Sequence, residues 1–372
     1  MKKFDKDRLI LAFAGPVLAL VVALALTTVV LLASGRNPFE PYRIMFESAA
    51  YSDVQVLIVN QAGTYYLAAL AVAVGFRMNL FNIGVDGQYR LAAMMAALVG
   101  AAVDLPGPLQ IALIVIVAML VGAFWSGIAG ILRTTRGVSE VVSTIMLNAI
   151  ATSLIAWLIL PKNFGEQPVG SNNLTTGDIP ESGWFPGLSM GVEAGEIYGF
   201  TFVAAGCGLA YWFILNRTRF GFDLRATGAS ESAAQASGVD AKRMILTSML
   251  ISGAVAGLAG MPTLLGDTHT YSLDFPTGVG FTGITIALLG RNNPVGIALS
   301  ALLIAFLDKS SASLDQHGYE KEIATIMQGL IVISVVVSYE LVRRYGIRRQ
   351  QQKVGEELAA GKALTTEKEA AL

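Results

Sequence analysis

Residues 78–90, MNLFNIGVDGQYR, hold two Asn, one Asp, one Gln and two Gly between two strongly apolar stretches of the chain. Asn79, Asn82, Asp86 and Gln88 bring amide donors, amide acceptors and one carboxylate together within ten positions. Groups of this kind contact a polar solute through hydrogen bonds, or else bond to one another and hold a broken helix together. Glu140, Asn148 and Asp308 are further polar residues in or beside apolar runs. Glu140 lies close to Arg136, and Asp308 precedes Lys309 at the end of a run, so local ion pairs near an interface are expected for both carboxylates. Asp86 and Glu140 are also the two carboxylates that an ion-coupled carrier would use.

Covalent and phosphate chemistry have no residues to work with. The sequence has no G-x-x-x-x-G-K-[ST], no G-x-S-x-G and no H-E-x-x-H. Cys207 is the only cysteine, which excludes a disulfide framework. His269 and His317 are the only histidines and stand far apart, so no paired-histidine metal site is expected. The chain is expected to move a solute rather than to transform one. It is not expected to be an enzyme or to bind a cofactor itself, and no nucleic-acid partner is expected.

The elements that must position these residues are membrane helices. Of 372 residues, 54% are hydrophobic and only 14% charged, against about 25% charged in a soluble domain. The apolar residues come in blocks at 9–33, 54–76, 91–103, 109–132, 138–160, 197–215, 242–265, 277–290, 294–307 and 323–342. Most of these blocks are long enough to cross a hydrocarbon core about 30 Å thick. The run 91–103 gives only roughly 20 Å of helix. For it to cross, residues from 80–90 must enter the membrane too, and their polar groups must then be packed in protein or line a wet cavity. The alternative is an aqueous turn followed by a short, tilted helix. The runs 277–290 and 294–307, joined through RNNP, are two short spans or one re-entrant hairpin. The expected fold class is an all-α polytopic transmembrane bundle of about ten helices, some discontinuous.

Placing both termini in the cytoplasm puts 21 of the 26 Lys and Arg inside and 5 outside, as the positive-inside rule requires. The run 9–33 is longer than a signal-peptide core and reads as an uncleaved first helix. The transmembrane domain is expected over 1–345. It includes an extracytoplasmic loop at 161–196 folded against the membrane, and a cytoplasmic loop at 216–241. A charged cytoplasmic tail follows at 346–372. Asn173-Leu174-Thr175 is a sequon of the kind that arises often by chance.

The cytoplasmic loop is rich in small residues from Ala226 to Gly238. A short helix built from them can sit close to another protein, with Gly228 and Gly238 as boundaries where the chain turns. Arg225 and Glu231 are candidates for charge-assisted contacts to that partner. The alternative is a solvated helix without a partner.

This loop resembles the coupling loop of ABC-importer permeases in Gly228, Ala233, Ala234, Gly238 and Val239. Asn79 to Tyr89, and GITIALLGRNNPVG at 283–296, are similar to the branch of that family importing nucleosides and simple sugars, which is related to branched-chain amino acid and ribose permeases. The resemblance covers roughly 55–342. It implies an importer permease in a bacterial-type inner membrane, working beside a related or identical second permease and surrounded by lipid. It also implies two separate ATPase subunits, which use the ATP and dock on the inside loops, and an extracytoplasmic binding protein that delivers the solute. Within that scheme Asn79, Asn82, Asp86 and Gln88 suit ribose hydroxyls or base edges. Arg225, Gly228, Glu231, Ala233, Ala234 and Gly238 would form the ATPase coupling surface. An ion-coupled secondary transporter is the alternative, and a membrane scaffold the third possibility.

Overall fold

The computed structural model describes residues 6–319 and part of 325–352. The charged tail and part of the run 323–342 lie outside the described residues. The chain divides into two compact units, Met1–Ile44 with Leu314–Leu372, and Met45–Ser313. In the first, the Tyr319 hydroxyl donates to Glu40 at 2.8 Å, and the Arg36 guanidinium lies 5.4 Å from the Tyr319 ring centre. The candidate site belongs to the second unit.

The helices in chain order are α1 (Lys6–Ala33), α2 (Glu40–Ser48), α3 (Ser52–Arg77), α4 (Val85–Ala102), α5 (Gly107–Arg136) and α6 (Glu140–Leu158). They continue with α7 (Phe200–Arg217), α8 (Arg219–Ala229), α9 (Glu231–Ala236), α10 (Ala241–Leu258), α11 (Met261–Thr263), α12 (Val279–Leu289) and α13 (Pro294–Gln316). Among the described residues, α3, α5, α6, α13 and the continuous stretch Ala241–Thr268 are long and apolar enough to cross a membrane.

Helix α3 is the axis of the second unit. Leu67 to Ala73 are essentially inaccessible around the whole circumference, as an alanine-rich helix without a polar face must be when other helices surround it. It packs against α7, α10 and α12. Helices α5 and α10 pack backbone to backbone. A Cβ added at Gly122 would collide with the Gly253 carbonyl, and one at Gly257 with the Ala118 carbonyl. The backbones touch because Ala118, Gly122 and Ser126 recur every four residues opposite Gly253-x-x-x-Gly257. That small-residue spacing lets apolar helices associate where lipid removes the hydrophobic driving force.

Three sequence expectations change. The runs 277–290 and 294–307 form two helices, α12 and α13, of unequal length rather than two equally short ones. α12 has 11 residues, about 16 Å of helix, whereas α13 has 23, continuing past the apolar run through Asp308-Lys309 and SSASL at 310–314. Asp308 is therefore inside a helix rather than just past one. It accepts from the Tyr65 hydroxyl at 3.2 Å as well as pairing with Lys309 at 3.8 Å. The all-α expectation also gains a two-residue antiparallel ladder, β1 (Leu188–Ser189) with β2 (Glu196–Ile197). Gly191 and Gly195, both at positive φ, lie in its connection.

The loop 161–196 is folded onto the segment that follows α11. Thr176 N–H donates to the Tyr271 carbonyl and Ile179 N–H to that of His269, both at 2.9 Å. Trp184 stacks on His269 at 3.9 Å and 9°. Asn173, the sequon residue, donates to Asp274 at 2.6 Å.

Candidate functional site

The polar stretch after α3 runs as irregular backbone from Met78 to Gly84 and then becomes α4. Its depth can be read along α6. The Asn148 side-chain amide donates to the Ile83 carbonyl and accepts from Gly87 N–H, both at 2.9 Å. Asn148 is eight residues beyond the start of α6, about 12 Å along a membrane-capable helix. The Ile83 carbonyl and the Gly87 N–H at the first turn of α4 are therefore satisfied by protein, packed against α6.

Asn82 and Gln88 form a reciprocal amide pair at 2.9 and 3.0 Å. Asn82 also donates to the Ser252 hydroxyl at 2.9 Å and accepts from Gly84 N–H at 3.1 Å. Ser252 in turn donates to the Ala71 carbonyl at 2.7 Å. Both amide side chains are buried, so this network ties the loop to α3, α4 and α10. Phe81 N–H donates to Glu140 at 3.4 Å. Glu140 pairs with Arg133 at 3.5 Å, not with the expected Arg136. Gly137 turns the chain sharply in the left-handed region, and the residue one turn back along α5 is the one that reaches α6. Asn79 stands apart. It is exposed, at φ 58°, and serves the turn that ends α3.

Asp86 occupies a junction of two helix starts. It is in the first turn of α4, and its carboxylate accepts from Gly280 N–H at 3.2 Å in the first turn of α12. A Cβ at Gly280 would strike the Asp86 backbone, so the bare glycine permits this approach. Both helices start toward the one Asp86 side chain, and the free N–H groups of a helix start favour an acceptor there. The short α12 and α4 thus start at one shared junction.

The residues of the 216–241 loop divide by the direction they face. α8 is capped by the Thr218 hydroxyl, which accepts from Gly221 N–H at 3.1 Å, and α9 by Ser230, which accepts from Ala233 N–H at 3.3 Å. Gly228 is not the boundary expected. It lies within α8, and a Cβ there would collide with the Arg77 carbonyl and Met78. Gly238, at φ 83°, is the glycine that turns the chain. Arg225 donates to the Leu215 carbonyl in α7, an internal bond rather than a free cation. Glu231 and Ala233 are exposed, whereas Ala234 is buried at 3%. A bulky residue at Ala234 therefore breaks the loop itself, and Ala233 is the informative position. Ala233→Trp is expected to leave the amount of folded protein unchanged and, on the docking expected of this loop, to lower co-purification of the ATPase partner about tenfold. Ala234→Trp is expected to lower the folded amount. Parallel expression and pull-down measurements check both.

The opposite end of the α12–α13 connection also joins this region. The Arg77 guanidinium donates to the Asn292 carbonyl at 2.7 Å, and the Tyr211 hydroxyl donates to the same carbonyl at 3.0 Å. Arg291 and Asn292 are consecutive non-glycine residues at positive φ, a conformation that costs energy and persists only when its surroundings enforce it. Met78, Gly228 and Asn292, from three stretches far apart in sequence, thus meet at the Arg77 end of α3.

Sequence reasoning missed Arg77, Ser252, Tyr211 and the α5–α10 glycines. A lone serine in an apolar helix gives no signal, but the Gly253-x-x-x-Gly257 spacing was legible.

Residues 55–336 match the family described as branched-chain amino acid transport system, permease component. A guanosine ABC transporter permease of Bacillus subtilis is 35% identical, over 88% of this chain and 93% of its own. A nucleoside ABC transporter permease of Lactococcus lactis is 32% identical over 87% and 90%. A glucose ABC transporter permease of Haloferax volcanii is 31% identical over 91% and 90%.

Proposed function

We propose, from the premise that this chain belongs to the permease-component family of branched-chain amino acid transport systems, that it is the membrane subunit of an ATP-driven importer for nucleosides or a related simple sugar. The observation that carries the mechanism is the backbone contact of Gly228 with the Arg77–Met78 turn. A partner ATPase seated on the exposed face of α8 and α9 pushes directly on the end of α3. From that end, Arg77 reaches the Asn292 loop, and the polar network around Asn82 reaches α4 and α10. Movement there separates or closes the two helix starts at Asp86. In this reading Asp86 lines the solute path when the junction opens, while Asn82 and Gln88 keep the broken helix in register. Asn79 is the turn residue at the path's inner edge.

The distribution of Lys and Arg supports cytoplasmic termini with α8 and α9 inside, and the ten apolar runs support about ten crossings. The partners are two ATPase subunits that use ATP, a second related or identical permease, and an extracytoplasmic binding protein. The ion-coupled alternative is not carried forward. The relatives reported above are ABC permeases, and Asp86 and Glu140 are engaged by Gly280 and Arg133. The test is uptake into membrane vesicles holding the full complex, with labelled guanosine, ribose and glucose as probes. Uptake should require ATP and continue after the proton gradient is collapsed. Uptake that follows the gradient at constant ATP would overturn this function.

A further inference from the structure

A second polar region lies toward the other end of α3. Gln61 and Arg77 are sixteen positions apart, about 24 Å along the helix. A cavity of about 150 Å³ opens there, lined by Gln61, Thr64, Tyr198, Thr263, Asp267 and Lys309, with Leu57 and Pro276 as apolar wall. None of these residues takes part in the Asp86 junction or the coupling contact.

The lining is held in place from behind. Residues Leu264–Thr268 form a single π-helical turn, a one-residue insertion that re-aims side chains and is frequent at functional sites. It carries Asp267 and closes at His269, whose backbone is at φ 52° and whose N–H donates to the Leu264 carbonyl at 3.0 Å. The stacked Trp184 ring braces His269. On the opposite wall, Asn60 accepts from Tyr198 N–H and donates to the Glu196 carbonyl, both at 2.9 Å, which fixes Tyr198. Burial, with the facing Asp267 carboxylate, pushes the Tyr198 phenol up to about 12. Lys309 is tethered by Asp308 at 3.8 Å, itself bonded by Tyr65.

The chemistry of the lining selects a class of ligand. Lys309 is already paired with Asp308, so the lining offers the Asp267 carboxylate as an acceptor among neutral donors and acceptors, which suits a hydroxyl-bearing guest. Amide, hydroxyl and phenol groups provide both donors and acceptors, as adjacent ring hydroxyls require. The aromatic and aliphatic wall suits the C–H face of a ring. The volume is well below the roughly 300–1,000 Å³ of pockets that enclose a drug-sized ligand, so it takes one ring and not a whole nucleoside. We propose that this cavity is a solute-binding station that receives the neutral, hydroxyl-bearing sugar ring common to nucleosides and simple sugars as it enters the permease. This rests on the importer function proposed above.

The test uses the full complex in vesicles at saturating loaded binding protein, so that delivery does not set selectivity. Asp267→Asn, Gln61→Ala and Thr263→Val are compared for uptake of guanosine and of its 2′,3′-dideoxy analogue, and for ATP hydrolysis stimulated by the binding protein. The unaltered complex is expected to prefer guanosine by about tenfold, one lost hydrogen bond's worth. At least two variants are expected to lower guanosine uptake about tenfold and abolish that preference, with stimulated hydrolysis retained. Retained hydrolysis identifies an assembled complex, and a variant that loses it is replaced by Gln61→Glu or Thr64→Val at the same wall. Unchanged uptake and preference in every assembled variant overturns the station. Failure of the underlying function reads differently, because the unaltered complex then shows no ATP-dependent uptake of guanosine, ribose or glucose, and both proposals fall together.

Discussion

Gly228→Val is expected to abolish ATP-driven uptake, at least about a hundredfold, while the partner subunits continue to hydrolyse ATP. The expectation comes from backbone geometry. The first atom of any side chain at Gly228 would fall on the Arg77 carbonyl and against Met78. Neither neighbour is the far end of a flexible side chain, so the α8 helix must lift away from the end of α3. The Arg77 contacts to Asn292 and the Asn82 network stay on α3 and its neighbours, so the bundle keeps its fold and loses only its connection to the loop. Gly238→Ala is the comparison. That position is at φ 83° with open space around it, and a left-handed alanine costs about 1–2 kcal/mol locally. Its uptake should fall severalfold at most. Paired measurement of uptake and hydrolysis separates the two glycines. Normal uptake by a well-expressed Gly228→Val protein would remove this contact from the coupling path.

Gly253→Leu is expected to cost the folded protein more than about 3 kcal/mol, near the upper end of what overpacking a close-packed interior does. The Gly253 Cβ position is occupied by the Gly122 carbonyl, with the Ser126 side chain close behind. Relieving the overlap means separating α5 from α10 along their whole crossing, which also opens the Gly257–Ala118 contact. Ser252, the neighbour of Gly253, holds Asn82, so the displacement carries into the candidate site. Gly206→Ala is the control. Gly206 is helical with nothing near its Cβ direction, and alanine there should stabilise by about 0.5–1 kcal/mol. Thermal unfolding of the purified protein in lipid nanodiscs, following intrinsic tryptophan fluorescence, reads both. A Gly253→Leu protein as stable as the unaltered chain would mean that the helices do not meet at this glycine.

The amino-acid order alone determined that the chain is a helical membrane protein, because blocks of apolar residues with few charges have no other solvent that suits them. It also placed polar backbone ahead of the short run at 91–103, since thirteen residues are too few to cross. The three family-like stretches were visible as residue types at fixed spacings. Their roles were not. Asn82 and Gln88 carry the same donors and acceptors whether they face a solute or each other, and only the fold brings them within 3.0 Å. Gly228 reads in sequence as a turn glycine, yet its function is to leave room for a backbone 150 positions away. The cavity between Gln61, Asp267 and Lys309 had no linear signature, because its walls come from four separate segments. Periodicity and composition are local properties that fix which helices form. Which polar groups meet depends on long-range packing of those helices, and small residues decide that packing by letting backbones touch.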